Sequence, residues 1–112
     1  MTKILFVCSA NVDRSPTAEH LYKRHPGLEV KSAGISDYAR QPISAELLRW
    51  ADVVLCMEEF QQRVIEGLFA DIVSGKTIDF LDVPDDYRRM DPSLVDVITR
   101  KVDGWLRRYH KG

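Results

Sequence analysis

Residues 4–16 read ILFVCSANVDRSP, and this stretch decides the fold of the chain. Its first part, Ile4-Leu5-Phe6-Val7, is a continuous apolar run, which is typical of a strand covered on both faces of a parallel sheet. Ser15 suits the N-cap of a helix, and Pro16 suits its first position. The stretch therefore predicts a strand, a short polar loop and a helix, which together form the first unit of an α/β domain.

The rest of the chain continues this alternation. Residues 53–57 and 77–81 predict two more strands, and Leu28-Glu29-Val30-Lys31 is a weaker candidate for another. The residues at helical spacing between the strands are Ala18, Leu21, Tyr22 and His25, then Leu47 and Leu48 after a Ser44 cap, then Phe60, Val64, Ile65 and Leu68. We therefore predict one small α/β domain over residues 1–112. It should have a four-stranded parallel sheet, helices on both faces and an anion-binding loop after the first strand, where ligands of such sheets bind.

The last helix should begin at Pro92, with Asp91 as its N-cap, and should bury a long apolar stripe. The stripe consists of Leu94, Val97, Ile98, Val102, Trp105, Leu106 and Tyr109. Residues 81–90, before this helix, are rich in Asp and predict a long polar loop. Long loops in small domains often carry functional residues.

Composition argues against several classes of function. The 112 residues are 45% hydrophobic, and their net charge of -1 provides no overall field for binding nucleic acid or an anionic membrane. The N-terminal apolar run is too short for a signal peptide or a membrane span, so we expect a cytoplasmic protein. With two cysteines, and three histidines that lack metal-ligand spacing, we expect no metal and no cofactor.

Cys8 and Arg14 enclose five residues between the predicted strand and helix. The backbone N–H groups of such a loop can converge on a tetrahedral oxyanion, and the positive end of the helix adds to the attraction. Helix N-termini and cations also stabilise thiolates, the nucleophilic form of cysteine, while a planar guanidinium binds phosphoryl oxygens in a bidentate manner. We therefore predict that Cys8 is a nucleophile and that Arg14 binds the phosphoryl group. The predicted phosphate-binding residues are Ser9, Ala10, Asn11, Val12, Asp13, Arg14 and Ser15.

Two more residues fit this loop, whereas the second cysteine does not belong to it. Asn11 tolerates the left-handed backbone that a tight loop needs, and the Ser15 hydroxyl can donate to a thiolate. Cys56 lies within an apolar run, where packing is the expected role of a cysteine.

Cys8, Arg14 and Ser15 match the signature of the low-molecular-weight protein tyrosine phosphatases, which is a cysteine, five residues, an arginine and a serine. The chain also resembles this family at Asn11 and at residues 16–19, 32–34, 51–58 and 82–87, in order along most of its length. The resemblance implies that an aspartate in a late Asp-Pro-Tyr-like loop protonates the leaving oxygen. Asp85 stands at that place, with Asp82 and Asp86 as substitutes. The resemblance also implies Tyr87 and Tyr38 as walls of the substrate site.

The chain departs from the family pattern in its loop and in its length. Ala10 stands where the family has glycine, Asp13 where it has a second cysteine, and Asp86 where it has proline. Residues 34–51 form a shorter segment than in the family. A carboxylate at Asp13 would repel phosphate unless its side chain points away from the ligand.

The resemblance implies hydrolysis of phosphomonoesters through a phosphocysteine on Cys8, without a metal. The expected substrates are phosphorylated proteins or small phosphomonoesters, and the expected anion ligands are phosphate, sulfate and vanadate. Val12 stands where phosphotyrosine-directed members carry a branched apolar residue, so phosphotyrosine is favoured over phosphoarginine. Two alternatives stay open: thiol-dependent arsenate reduction, which would need Cys56 as a partner, and a module that binds phosphate or phosphoproteins without hydrolysing them.

Overall fold

The computed structural model describes residues 1–111, with side chains through residue 110, and its centre is a parallel sheet of four strands. The strands are β1 (Thr2–Cys8), β2 (Leu28–Gly34), β3 (Val53–Cys56) and β4 (Thr77–Phe80), in the order β2-β1-β3-β4. Cys8 pairs with Gly34, and Val7 pairs with Cys56. The carboxyl end of β1 therefore lies between those of two neighbours, which confirms the predicted sheet.

Within the described residues, five helices cover the two faces of the sheet, and all but the short fourth helix were predicted. They are α1 (Arg14–Tyr22), α2 (Ala45–Trp50), α3 (Glu59–Leu68), α4 (Ala70–Val73) and α5 (Pro92–Lys111). Helices α1 and α5 pack on one face, over Ile4, Phe6 and Leu55. Helices α2, α3 and α4 pack on the other, over Leu5, Val7 and Val54. Because both faces are covered, β1 and β3 are apolar at successive positions rather than at alternate ones.

Two of the predicted helix starts are correct. Ser44 caps α2 through its side chain, which accepts a hydrogen bond from the N–H of Leu47 at 3.2 Å. Asp91 caps α5 in the same way and accepts from the N–H of Ser93 at 2.8 Å. Both residues satisfy donors that the first turn of a helix leaves free.

The predicted start of α1 is wrong by two residues. The helix begins at Arg14, so Pro16 occupies its third position rather than its first. The first helical hydrogen bond is donated by the N–H of Thr17 to the Asp13 carbonyl, at 3.2 Å. A proline at the third position is tolerated because the N–H groups of the first turn have no partner within the helix.

The buried face of α3 also differs from the prediction. Phe60 is exposed and Leu68 is 72% exposed, whereas Gln61 and Ile65 are buried. Gln61 is buried because its side chain bonds to Glu58 and to Ser9 rather than to water. Residues 81–91 form the long loop expected before α5. Within residues 1–111, no helix is both long and apolar enough to cross a bilayer.

Candidate active site

The candidate site lies where β1 ends and α1 begins. Cys8 is the last residue of β1 and Arg14 is the first of α1, and each is only 2% exposed. Residues 9–13 connect them, and this segment is called the phosphate loop here. The nucleophile candidate and the arginine are therefore both held by regular secondary structure, which gives them fixed positions.

The Cys8 sulfur is surrounded by donors. The backbone N–H of Asn11 donates to Sγ at 3.2 Å, and the Ser15 hydroxyl oxygen lies 3.0 Å from it. The sulfur also faces the N-terminal turn of α1, whose free N–H groups carry partial positive charge. The sulfur therefore lies among polar groups at the N-terminal end of a helix.

Asn11 holds the phosphate loop in its curled shape. It has a φ of 55°, in the left-handed region that asparagine tolerates better than most residues. Its side-chain amide donates to the hydroxyl of Ser15 at 2.9 Å and to that of Ser32 at 3.0 Å. Ser32 in turn donates to Glu19 at 2.5 Å. This buried chain joins the loop to β2 and α1, and single residues of the sequence gave no sign of it.

Gly34, at the end of β2, forms the floor beneath the loop. A Cβ atom at this position would lie 2.5 Å from the Ser9 carbonyl oxygen and 2.9 Å from the Asn11 nitrogen. Both are backbone atoms that no side-chain rotation could move. The N–H groups of Ile35 and Ser36 donate to the carbonyls of Cys8 and Ser9, each at 3.0 Å. The loop therefore packs backbone against backbone on the segment after β2, and only glycine fits at this contact.

Arg14 is held along one edge of its guanidinium. Its Nη1 donates to the Glu58 carboxylate and to the Val83 carbonyl oxygen, the latter at 2.8 Å. Its Nε lies 3.7 Å from the carboxylate of Asp85. Because Nη1 is occupied, Nε and Nη2 form the edge that can bind two oxygens of a phosphoryl group. Glu58 was missed by the sequence analysis, although it lies two residues after the end of β3, the neighbour of β1.

The loop of residues 81–91, called the acid loop here, brings one of its aspartates to Arg14. Asp85 is 67% exposed, as a group that exchanges protons with substrate and water must be accessible. Among the described side chains, Asp82 and Asp86 make no ion pair with Arg14. Of the three candidates, Asp85 is therefore the one that pairs with Arg14 in the described part of the chain.

The two predicted wall residues differ in their setting. Tyr87 is half-buried and packs against the core on the α1 and α5 face. Tyr38 is 95% exposed and lies in the segment after β2, whose Arg40 N–H donates to the Ala10 carbonyl at 3.0 Å. Both tyrosines thus belong to segments that contact the site, but only Tyr87 has a packed position.

Asp13 points away from the interior of the phosphate loop. Its carboxylate accepts a hydrogen bond at 2.7 Å from the backbone N–H of Arg89, in the acid loop. One turn later, the Thr17 hydroxyl accepts at 2.9 Å from the N–H of Met90. The start of α1 therefore anchors the far end of the acid loop, and the Asp13 charge is used for that contact.

Comparisons with known proteins identify the family of the chain. None of the known protein-family profiles matches the chain. The chain is 35% identical to the low molecular weight protein-tyrosine-phosphatase Wzb of Salmonella typhimurium, over 87% of this chain and 85% of that one. It is 32% identical to Etp of Escherichia coli K12, over 77% and 78% of the two chains. The chain belongs to the low molecular weight protein-tyrosine-phosphatases.

Solved structures of this phosphatase family have the same fold. The phosphatase SP-PTP of Streptococcus pyogenes superposes with a TM-score of 0.81 over 96% of this chain and 93% of that chain, at 19% identity. Wzb of Escherichia coli K30, solved in complex with phosphate, gives 0.73 over 95% and 96%, at 24% identity. The four-stranded sheet and its flanking helices are thus the family architecture.

In this family member, the second cysteine lies apart from the site. Cys56 is fully buried, among Leu5, Val7 and Ile65 on the α2, α3 and α4 face of the sheet. Cys8 belongs to the opposite face. Burial in the apolar core, together with the nearby negative charges of Glu66 and Asp79, raises the pKa of the Cys56 thiol well above its usual range. Within residues 1–110, no cluster of three or more His, Cys, Asp or Glu side chains is arranged to hold a metal ion.

Proposed function

We propose that this phosphatase hydrolyses phosphotyrosine in proteins through a covalent phosphocysteine on Cys8. One observation carries the proposal. The Cys8 sulfur lies within hydrogen-bond distance of the backbone N–H of Asn11 and of the Ser15 hydroxyl. It stands at the N-terminus of the helix whose first residue is Arg14. This combination favours an anionic nucleophile next to a cation that can bind the group under attack.

In the first step, Cys8 Sγ attacks the phosphorus atom, and the bond from phosphorus to the tyrosine oxygen breaks. Asp85 gives its proton to that leaving oxygen, so the product is a neutral phenol. Arg14 stabilises the charge on the equatorial oxygens through Nε and Nη2, the edge left free by Glu58 and Val83. The proximity of Asp85 to Nε, at 3.7 Å, supports its place on the leaving-group side.

In the second step, water attacks the phosphorus atom and the bond from sulfur to phosphorus breaks. Asp85, now a carboxylate, accepts the proton of the attacking water. The products are inorganic phosphate and the Cys8 thiolate, which the Ser15 hydroxyl and the Asn11 amide stabilise as it leaves. That proton from the attacking water restores the carboxyl group of Asp85 for the next turnover.

The proposed substrate is supported by the rim of the phosphate loop and by the relatives. Val12 is 52% exposed on the loop, where its apolar side chain can contact an aromatic ring, and Tyr87 and Tyr38 are the proposed walls. The matched relatives are named tyrosine phosphatases. Phosphate is a proposed product ligand, as in the Wzb structure with phosphate. Sulfate and vanadate are proposed to bind the same loop because, like phosphate, they are tetrahedral anions.

The alternative functions receive less support. Arsenate reduction through the chain's own thiols would need Cys56 to reach Cys8, but the two side chains lie on opposite faces of the sheet. A binding module without turnover would follow from the shortened segment after Gly34 and from the Asp13 carboxylate, yet that carboxylate bonds to the acid loop instead of facing an anion. The free thiols of Cys8 and Cys56 also fit a reducing compartment, so we propose a cytoplasmic location.

The test is turnover of para-nitrophenyl phosphate as a function of pH, with one variant for each cysteine. Cys8→Ser should lose at least about 10⁴-fold in kcat, because an alcohol is a far weaker nucleophile at neutral pH. Cys56→Ala should keep turnover, since this side chain only packs in the core. A Cys8→Ser variant that retained wild-type activity would remove the proposed mechanism.

A further inference from the structure

A cleft rich in positive charge runs along α1 beside the phosphate loop. It has a volume of about 220 Å³ and is called the basic cleft here. It is lined by Pro16, Glu19, His20, Lys23, Arg40 and Arg89. The lining thus contains three permanent cations and a histidine but only one carboxylate. The chain as a whole carries a net charge of -1, so this excess of positive charge is local.

Within residues 1–110, the cations of the basic cleft have no acidic partners. Among the side chains described, Lys23, Arg40 and Arg89 form no ion pair with a carboxylate, and all three are exposed. Two arginines elsewhere on the surface do form pairs, Arg63 with Glu59 and Arg100 with Asp96. Unpaired cations that share one cleft repel each other, and an anion placed between them relieves this repulsion.

The single carboxylate of the cleft is engaged elsewhere. Glu19 accepts the hydroxyl proton of Ser32 at 2.5 Å, and Ser32 accepts from the Asn11 amide at 3.0 Å. Glu19 therefore supports the phosphate loop from within. A neighbouring cavity of about 420 Å³ shares Glu19 and Arg40 with the basic cleft and adds another cation, Lys31.

The basic cleft begins at the active site. The N–H of Arg40 donates to Ala10, and the N–H of Arg89 donates to Asp13, so both arginines lie on segments bound directly to the phosphate loop. Helix α1 then carries the cleft away from the loop. With a rise of about 1.5 Å per residue, Lys23 lies about 13 Å along the helix from Arg14.

We propose that the basic cleft binds an acidic segment of the phosphoprotein substrate, next to its phosphotyrosine. The inference rests on the proposed function, because the phosphotyrosine fixes the segment relative to the cleft. An extended chain covers about 3.3 Å per residue, so Asp or Glu residues roughly three to five positions from the phosphotyrosine would reach the cleft. Opposite charges of this kind raise the association rate and select among substrates.

The experiment compares two phosphotyrosine peptides of equal length, one flanked by Asp and Glu and the other by Asn and Gln. The wild-type protein should show a kcat/KM about tenfold higher for the acidic peptide at low ionic strength. This ratio should approach one at about 0.5 M salt, because salt screens exposed charges. In Lys23→Glu/Arg40→Glu, the ratio should fall to about one or below. Arg63→Glu, on the other face of the sheet, is the matched control and should keep the wild-type ratio.

Binding of the same peptides to the Cys8→Ser variant, followed by fluorescence anisotropy, tests the cleft without chemistry. The basic cleft is supported as the docking site if the acidic peptide binds more tightly than the neutral one. This preference should be lost when Lys23→Glu and Arg40→Glu are added to the Cys8→Ser variant. Equal binding of both peptides, or a preference that survives the double reversal or high salt, would overturn it while leaving the proposed hydrolysis intact. Failure of the wild-type protein to hydrolyse para-nitrophenyl phosphate would overturn the proposed hydrolysis. The binding data would still decide whether the basic cleft binds acidic peptides.

Discussion

The phosphate loop and the acid loop form the two halves of the site, and they are held in different ways. The phosphate loop is short and is fixed by buried contacts, from the Asn11 amide to two hydroxyls and from the segment after β2 to the carbonyls of Cys8 and Ser9. The acid loop is twice as long and mostly exposed, and its far end is attached to α1 by two hydrogen bonds.

This difference matches the chemistry proposed for each half. Anion binding and nucleophilic attack need donors that are already oriented, since reorienting them during the reaction would cost free energy. The acid must meet leaving groups of varied size and then a water molecule, which calls for access more than rigidity. Arg14 connects the halves beside the hydrogen bond from Arg89 to Asp13, because it starts α1 and also binds the Val83 carbonyl in the acid loop.

Replacing Arg14 should lower activity more than any other substitution considered below. We expect Arg14→Lys to lower kcat/KM for an aryl phosphate by about 10²- to 10³-fold, because lysine offers a point charge in place of a bidentate edge. Arg63→Lys on α3 provides the control for the same exchange at an exposed site. Steady-state kinetics with both variants would measure it, and activity of Arg14→Lys within threefold of wild type would refute the role of the guanidinium edge.

Replacing Asp85 in the acid loop with asparagine should impair proton donation and leave the phosphate loop unchanged. Asp85→Asn should slow the first step by about 10²-fold for substrates with poor leaving groups and much less for those with good ones. The measurement is the dependence of kcat on leaving-group pKa across a series of aryl phosphates. Asp86→Asn is the neighbouring control. If Asp86→Asn gave the steeper dependence, the assignment of the acid would move to that residue.

Gly34→Ala should damage the phosphate loop through its floor. The new methyl group would meet the Ser9 carbonyl and the Asn11 nitrogen, so we expect a loss of about 2 kcal/mol in the free energy of unfolding, with lower activity. Gly67→Ala on α3 meets no atom within 4 Å and should gain about 0.5 kcal/mol instead. Urea denaturation of both variants would measure these changes. Equal stabilities would show that the close approach at Gly34 is easily relieved.

Loosening the anchor of the acid loop should have the smallest effect. Asp13→Ala removes the acceptor for the Arg89 N–H, and we expect kcat to fall by about threefold while phosphate still binds the intact loop. Product inhibition by phosphate, measured beside kcat, separates the two halves. A large rise in the inhibition constant with unchanged kcat would mean that Asp13 supports the phosphate loop rather than the acid loop.

The sequence predicted the strands and the signature residues because their signals are local. Continuous apolar runs identify strands covered on both faces, and Cys8 and Arg14 lie within one strand, loop and helix. Asp91 was predictable for the same reason, since a cap and the proline after it are neighbours in the chain. The Asp85 candidate came from the resemblance, and the structure adds its ion pair with Arg14.

Contacts between distant segments were not predictable from one sequence. Glu58 contacts Arg14, 44 positions away in the sequence, because β3 lies next to β1 in the sheet. Apolar runs predict where strands are but not their order in the sheet. The same holds for Ser32 and Asn11, which meet because β2 is the other neighbour of β1. The exposed face of α3 was misjudged because Gln61 is buried by polar partners at Glu58 and Ser9.

The separation of the two cysteines by the sheet has a consequence for oxidative damage. A peroxide that converts Cys8 to its sulfenic acid leaves it with no resolving thiol, because the chain's only other cysteine is sealed beneath α3. Recovery of the oxidised enzyme then depends on small thiols from solution, and prolonged exposure carries the sulfur on to the irreversible sulfinic state.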